Sequence, residues 1–240
     1  AEKIFVYGWS DPEKYPLQKK STSREFLREI AHLRPRTNTF GAVFRVRNAL
    51  AYSIHKFFQD RGFVHVHTPI ITASDCEGGA EMFQVSTLDY NNLPVKEGSI
   101  DFSQDFFGKS AKLTVSGQLE GELFATALTD IYTFGPTFRA ENSQTQRHLA
   151  EFWMVEPEMA FCDLEENITL AEEFLKYIFS YILDHCEDDL FFLGKKNEVD
   201  IFGQLKKVVN SQFNKVTYTE AIELLKNSGR SFEYPCDWGK

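Results

Sequence analysis

The chain has 240 residues, 42% of them hydrophobic and 25% charged, which is enough for one sizeable core and excludes the composition of a disordered chain. No stretch approaches the roughly 18 apolar residues of a membrane span, and the first twenty residues lack a signal-peptide core, so a cytoplasmic protein with no membrane partner is expected. The net charge of −9 argues against gripping nucleic acid by charge alone, yet residues 1–50 carry ten Lys/Arg against five Asp/Glu, a basic stretch that either steers a polyanion or is a solvated face.

In chain order, Ile4–Trp9 is a short strand-like run broken at Ser10-Asp11-Pro12, with almost nothing before it to pair with, and reads as the tail of an earlier domain. A linker through Lys14–Lys20 follows. Thr22 and Glu25 form a capping-box pattern for a helix reaching Leu33, ended by Arg34-Pro35-Arg36. From Phe40 to Asp60, Val43, Val46, Leu50, Ile54 and Phe57 recur at spacings of three and four, which predicts an amphipathic helix stopped at Gly62. Phe63–Ile71 is a β-branched and aromatic run whose Pro69 belongs at a strand edge or irregularity. Leu88–Gly108 is polar and reads as an inserted loop. Lys112–Gln118, Ile131–Glu141 and Leu149–Phe161 are strand candidates; Glu165–Leu183, 203–213 and Thr219–Asn227 are helix candidates. Strands flanked by helices without regular βαβ alternation predict an α+β fold with a mostly antiparallel sheet.

Phosphate-binding glycine motifs are absent: there is neither G-x-x-x-x-G-K-[ST] nor G-x-G-x-x-G before a helix. Arg139 and Glu141 stand two residues apart at the end of a strand candidate. A polar loop, Asn142–Arg147, leads to His148 and to a strand with Phe152, Glu156 and Glu158 at even spacing on one face. Together they supply a planar fork for a phosphate, a ring for a base to stack on and an acceptor for its amino group. A salt-bridged surface hairpin remains the alternative, weakened by carboxylates inside an apolar run. Ser116-Gly117-Gln118 reads equally as a strand end with turn hydrogen bonds. His65 and His67 share metal-compatible spacing, but with no third ligand in view they are read as structural, and no metal site is expected. Cys76, Cys162, Cys186 and Cys236 form no C-x-x-C pair and are read as reduced thiols.

These segments resemble the class II aminoacyl-tRNA synthetases. Gly62-Phe63 leading to Thr68-Pro69-Ile70-Ile71 after a long helix is similar to motif 1. Phe138-Arg139-Ala140-Glu141, the loop, Arg147-His148 and Phe152 are similar to motif 2. Within the class, His32–Thr37, Glu77–Glu81, Thr114–Leu119 and Phe152–Glu158 resemble the asparaginyl branch along essentially the whole chain. The resemblance implies that Arg139 holds the α-phosphate and the substrate carboxylate and is the catalytic group. Phe152 would stack under adenine, Glu141 accept from its amino group and His148 approach the outer phosphates. Ser116, Gln118 and Glu156 would contact the amino acid, and Glu77 would lie in a loop that closes on it. Aspartyl relatives carry a lysine where Gly121 stands here. A missing unit charge ~4 Å from the substrate, at an effective dielectric of ~20, is worth roughly 4 kcal/mol, favouring an amide over an acid.

The resemblance further implies ATP and Mg2+, asparagine and tRNA(Asn) as partners, and a homodimer built through motif 1 with Phe63 and Pro69 at its interface. Residues 1–20 would be the end of an anticodon-binding OB-type barrel and a linker. Residues 21–240 would be a partial catalytic domain, with motif 3 and the metal-binding carboxylates beyond Lys240. The isolated chain is therefore expected to be inactive. An aspartate-activating relative, either an aspartyl-tRNA synthetase or an ammonia-dependent asparagine synthetase, and a non-catalytic nucleotide-binding paralogue are the competing readings.

Overall fold

A stripe of apolar side chains repeating every three to four residues makes one long helix the natural state of the segment after residue 37. In a computed structural model, which describes residues 2–20, 22–76, 78, 81–142, 145, 148–232 and 234–239, that helix runs Asn38–Asp60 (α2). The Thr37 hydroxyl caps it by accepting from the Phe40 amide at 3.4 Å. It follows a shorter helix, Arg24–Glu29 (α1), and a single 3-10 turn at Arg34–Arg36. The α1 cap is Ser23, which accepts from the Phe26 amide, rather than Thr22, and the helix ends four residues before Leu33. The other end of α2 closes as a full Schellman motif: Gly62 has φ +85° and its amide bonds to the Gln59 carbonyl, while the Phe63 amide bonds to the Phe58 carbonyl. Phe58 and Phe63 make the accompanying ring contact at 5.2 Å.

The expected strand 63–71 is two short pieces in different sheets. Val64–His65 (β1) and Ile71–Thr72 (β2) are separated at Thr68-Pro69, because Pro69 has no amide hydrogen to offer a ladder. Gln84–Val85 (β3), a hairpin of Val95–Lys96 (β4) and Ser99–Ile100 (β5), and Ala111–Leu113 (β6) come next. The hairpin, with Glu97 and Gly98 at φ +53° and +80°, gives order to part of the segment read as a loop. One small sheet has the order β2-β6-β3, all antiparallel. The strand expected over 112–118 stops at Leu113, and Gln118–Leu128 is a helix (α3) instead. Asp130–Phe138 (β7) and Glu151–Met159 (β8) form the long antiparallel pair of the main sheet, β1-β7-β8, with β1 parallel to β7. Four helices complete the described chain: Leu164–His185 (α4), Glu187–Asn197 (α5), Ile201–Asn210 (α6) and Tyr218–Lys226 (α7). Residues 4–9 form no strand, and Ile4, Tyr7 and Trp9 are exposed.

The two faces of the β7–β8 pair have different fates, set by alternation along the strands. Tyr132, Phe134 and Val155 point to one side and pack with Ile54, Phe57 and Phe58 of α2 and Phe174 and Ile178 of α4. Tyr132 stacks on Phe58 at 4.7 Å, and its hydroxyl meets His55 Nδ1 at 2.7 Å. Each fully buried aromatic ring there contributes roughly 1.5–3 kcal/mol. On the opposite face Ile131 joins Val66 of the segment after β1 and Ala125 of α3, while the far half of the face is polar. Among the described residues no helix is long and apolar enough to cross a membrane.

Candidate active site

The polar half-face is built by register. Thr133 lies opposite Glu156, Gly135 opposite Met154 and Thr137 opposite Phe152, so these six residues share one side of the sheet. Glu156 is held at three points. Its Oε1 accepts from the Ser116 hydroxyl, and its Oε2 accepts from Thr133 Oγ1 at 2.8 Å and from the Gly117 amide at 3.1 Å. All three partners donate to it, so both carboxylate oxygens are engaged as acceptors. The turn that brings Ser116 there is closed by Thr114 Oγ1, which donates to the Ser116 carbonyl at 2.6 Å. Ser116 Oγ in turn accepts from the Gln118 amide at 3.1 Å, at the start of α3. Thr68, Thr114, Thr133, Thr137 and Glu156 line a cleft of about 360 Å³ between the 65–70 segment and β7.

Thr133 was not singled out in the sequence, and Thr68 and Gly117 entered only as parts of longer segments. A β-carbon on Gly117 would stand 2.7 Å from Thr68 Oγ1 and 3.2 Å from Glu156 Oε2, so only glycine fits between them. Ser116, Gln118 and Glu156 are brought together, but Ser116 and Glu156 are bonded to each other. The Gln118 side chain is oriented by Glu122, whose Oε1 accepts from Nε2 at 3.1 Å, and by Cys76, whose thiol lies 3.9 Å from its Oε1.

Arg139 and Glu141 lie just past the end of β7, not within it, so their directions come from the loop rather than from strand alternation. The Arg139 amide donates to the Ala150 carbonyl at 3.1 Å, which pins the base of the side chain. Its guanidinium then lies over the Phe152 ring, 5.3 Å from the centroid, on the side of the sheet that carries Glu156. Nη2 approaches the Val115 carbonyl at 3.5 Å, while the buried Nε has no acceptor among the described residues. A buried N–H without a partner costs roughly 1–3 kcal/mol, and an anionic ligand would satisfy it. Glu141 and His148 form a second pair, Nε2 to Oε2 3.8 Å, at the mouth of the polar loop. The Ala140 amide ties this corner to the Glu81 carbonyl at 2.7 Å. Glu77 and Arg147, singled out in the sequence, lie outside the described residues, as do Gly79, Ala80, Ser143, Gln144 and Gln146.

Gly121 is buried on α3, but it faces Glu158 more closely than Glu156. A β-carbon there would meet Ile131 at 3.5 Å, Glu158 Cγ at 3.6 Å and Thr133 at 3.7 Å. The Glu158 carboxyl is pushed above the usual range by burial first and then by the charges of Glu122 and Glu156. Glu122, Glu156 and Glu158 thus form an acidic patch beside Gly121.

His65 lies 4.9 Å from His55, and its imidazole is held below the ordinary range by burial and then by His55. Among the described residues no group of three or more His, Cys, Asp or Glu side chains is placed to hold a metal. Phe63, expected at an interface between subunits, is 7% exposed and belongs to the chain's own core, because the end of α2 needs its ring; Pro69 is exposed.

Comparison with known proteins shows the family of the chain. The family described as class II tRNA synthetases (D, K and N) matches residues 23–235. An asparagine–tRNA ligase of Thermosynechococcus vestitus is 62% identical over all 240 residues, which is 52% of that protein. One from Clostridium tetani is 60% identical over the same 240 residues, again 52% of its length. The chain therefore spans about half the length of the curated relatives it matches. Among solved structures, asparaginyl-tRNA synthetase from Pyrococcus horikoshii complexed with asparaginyl-adenylate is similar over 91% of this chain and 44% of that one, with 29% identity and a TM-score of 0.73. An aspartyl tRNA synthetase from Entamoeba histolytica is similar over 91% of this chain and 36% of its own, with 25% identity and a TM-score of 0.60.

Proposed function

This chain belongs to the class II tRNA synthetases of the D, K and N group, and on that premise we propose that the protein it forms part of activates asparagine with ATP and transfers it to tRNA(Asn). The observation that carries this reading is the Arg139 guanidinium, with its unpartnered Nε, poised over Phe152 on the same sheet face as the Glu156 cradle. In the first step a carboxylate oxygen of asparagine attacks the α-phosphorus of ATP and pyrophosphate leaves, giving the adenylate. Arg139 holds the α-phosphate and the carboxylate together and offsets the charge that gathers between them. Phe152 offers its ring to adenine, Glu141 accepts from the adenine amino group, and His148 faces the outer phosphates. Magnesium would come with the phosphates of ATP and offset their charge. In the second step the 3′-hydroxyl of the terminal adenosine attacks the activated carbonyl and AMP departs.

The amino-acid pocket is the part that separates asparagine from aspartate. Ser116, Gln118 and Glu156 form its wall, Glu77 belongs to the loop beside it, and Gly121 leaves the acidic Glu158 without a neighbouring lysine. That electrostatic setting favours a neutral amide and disfavours an aspartate-activating enzyme. The protein works in the cytoplasm as a homodimer, with the motif 1 segment that carries Phe63 and exposed Pro69 at the subunit contact. The test is asparagine-dependent ATP–pyrophosphate exchange by the full-length gene product. Replacing Arg139 by Ala should lower the rate ~100- to 1,000-fold. Exchange that survives the substitution, or that prefers aspartate, would overturn the reading.

A further inference from the structure

Thr133 takes no part in the chemistry assigned to the β7–β8 face, yet it is the more deeply buried of the two hydroxyls that donate to Glu156, 4% exposed against 8% for Ser116. It stands directly across the ladder from Glu156, and both residues line the cleft beside the 65–70 segment. Its β-branched side chain has few rotamers open to it. The methyl carbon faces α3, 3.2 Å from where a β-carbon on Gly117 would stand and 3.7 Å from one on Gly121. That placement leaves the hydroxyl on the Glu156 side, where Oγ1 is 2.8 Å from Oε2. A hydroxyl has a single hydrogen to give, and here it goes to the carboxylate.

A carboxylate offers about four lone-pair positions, two on each oxygen. Thr133 and the Gly117 amide take both positions on Oε2, and the Ser116 hydroxyl takes one on Oε1. Ser116 is itself held, since its Oγ accepts from the Gln118 amide at 3.1 Å. One position, on Oε1, is left open to a ligand in the cleft.

We propose that Thr133 is a positioning residue that sets the amino-acid selectivity of the site: by filling Oε2 it keeps Oε1 of Glu156 as the one open acceptor, matched to an N–H of a side-chain amide. The inference rests on the reading of this face as an asparagine-activating site and adds to it a residue that touches Glu156, not the substrate. A side-chain carboxylate has no hydrogen for that acceptor, and a site built to receive an N–H rejects an analogue that lacks one. Without the Thr133 donor, Oε2 regains an open position and Glu156 can present either oxygen. The geometry that separates amide from acid is then lost, while Arg139 and Phe152 keep their places.

The competing role for Thr133 is to fill space beneath α3. The two roles rank conservative variants in opposite order. Thr133→Val keeps the shape and the methyl contacts and loses the donor, whereas Thr133→Ser keeps the donor and loses the methyl. Thr133→Ala differs from Thr133→Ser by the hydroxyl alone, so the comparison survives even if the valine variant does not fold.

The test is ATP–pyrophosphate exchange by the full-length gene product and these variants, with asparagine or aspartate as the variable substrate and thermal melts to show which variants are folded. In Thr133→Val and Thr133→Ala the KM for asparagine should rise roughly 10- to 100-fold, the effect of removing one hydrogen bond to a carboxylate. Because that bond serves binding in the ground state and the transition state alike, kcat and the KM for ATP should stay within about threefold of the parent. The asparagine-to-aspartate ratio of kcat/KM should fall by roughly the factor lost in KM. Thr133→Ser should keep all of these within about threefold of the parent values. A valine variant equal to the parent, a serine variant as impaired as alanine, or a loss confined to kcat would overturn the proposal. A parent enzyme without asparagine-dependent exchange would overturn the adenylation reading itself and this proposal with it, so the parent alone tells the two failures apart.

Discussion

Gly117 is wedged against Thr68: a β-carbon at residue 117 would lie 2.7 Å from the threonine Oγ1, closer than van der Waals contact permits. Changing Gly117 to Ala should therefore force the 65–70 segment or the Glu156 carboxylate aside. A loss of about 1–3 kcal/mol is expected, as for other overpacked sites. Thermal melts of the chain would measure it, and a second change, Thr68→Ala, should recover part of the loss. If the double variant melts no higher than the single one, the contact is not what makes glycine necessary.

Gly121→Lys places a cation next to the acidic patch. The space accepts a β-carbon at ordinary contact distances of 3.5–3.7 Å, so the helix should tolerate the change. In the full-length enzyme the ratio of aspartate to asparagine activation should rise about tenfold. That falls short of the roughly thousandfold that an unopposed charge would give, because Glu158 takes up part of it. Competing adenylation of the two amino acids reads the ratio directly, and an unchanged ratio would remove Gly121 from the basis of selection.

Glu158 has its folded-state pKa raised, so its protonated form is the one the fold prefers. The stability linked to this group is fully present below the unfolded carboxyl pKa near ~4.3 and declines as pH rises through the elevated folded value. Glu158→Gln should melt above the parent chain at pH 7, and the two should converge at about pH 4. Curves that separate by the same amount at both pH values would mean the effect is packing, not titration.

Asp105 shows the opposite sign. The Thr87 amide, followed by the Ser86 hydroxyl, holds its carboxyl down to about 2. Its Oδ1 accepts from the Thr87 amide and hydroxyl, both at 2.9 Å, and from the Phe106 amide at 2.8 Å. These bonds fasten the two ends of the segment that carries the β4–β5 hairpin. Their contribution is present above the unfolded aspartate pKa of ~3.9 and lost as pH falls from there toward 2. Hydrogen exchange at the Thr87 amide, corrected for its intrinsic rate, should accelerate in that window in the parent chain. In Asp105→Asn it should be fast throughout.

What the sequence disclosed follows from where the physics is local. The stripes of α2 and α4 and the even spacing of Phe152, Glu156 and Glu158 are written in neighbouring residues, and the structure has them. The helix α3 was hidden because it is apolar on several sides: Leu123 is 69% exposed and Phe124 is also exposed, so no buried stripe stands out. The helix α5 abuts α4 at Cys186 without a spacer, although Glu187, Asp188 and Asp189 at its start and Lys195 and Lys196 at its end complement a helix dipole. Gly117, Thr68 and Thr133 matter only through contacts between segments 16 to 49 residues apart, which no local pattern encodes.

The segment from Val64 to Thr72 begins in the main sheet and ends in the small one. Five residues, 66–70, are all that joins the two along this path, and five residues reach at most about 18 Å when extended. They act as a tether of fixed length, with Thr68 at its midpoint against Gly117. The width of the cleft is thus a matter of chain length as much as of packing, and adding or deleting one residue in this stretch would be felt at Glu156.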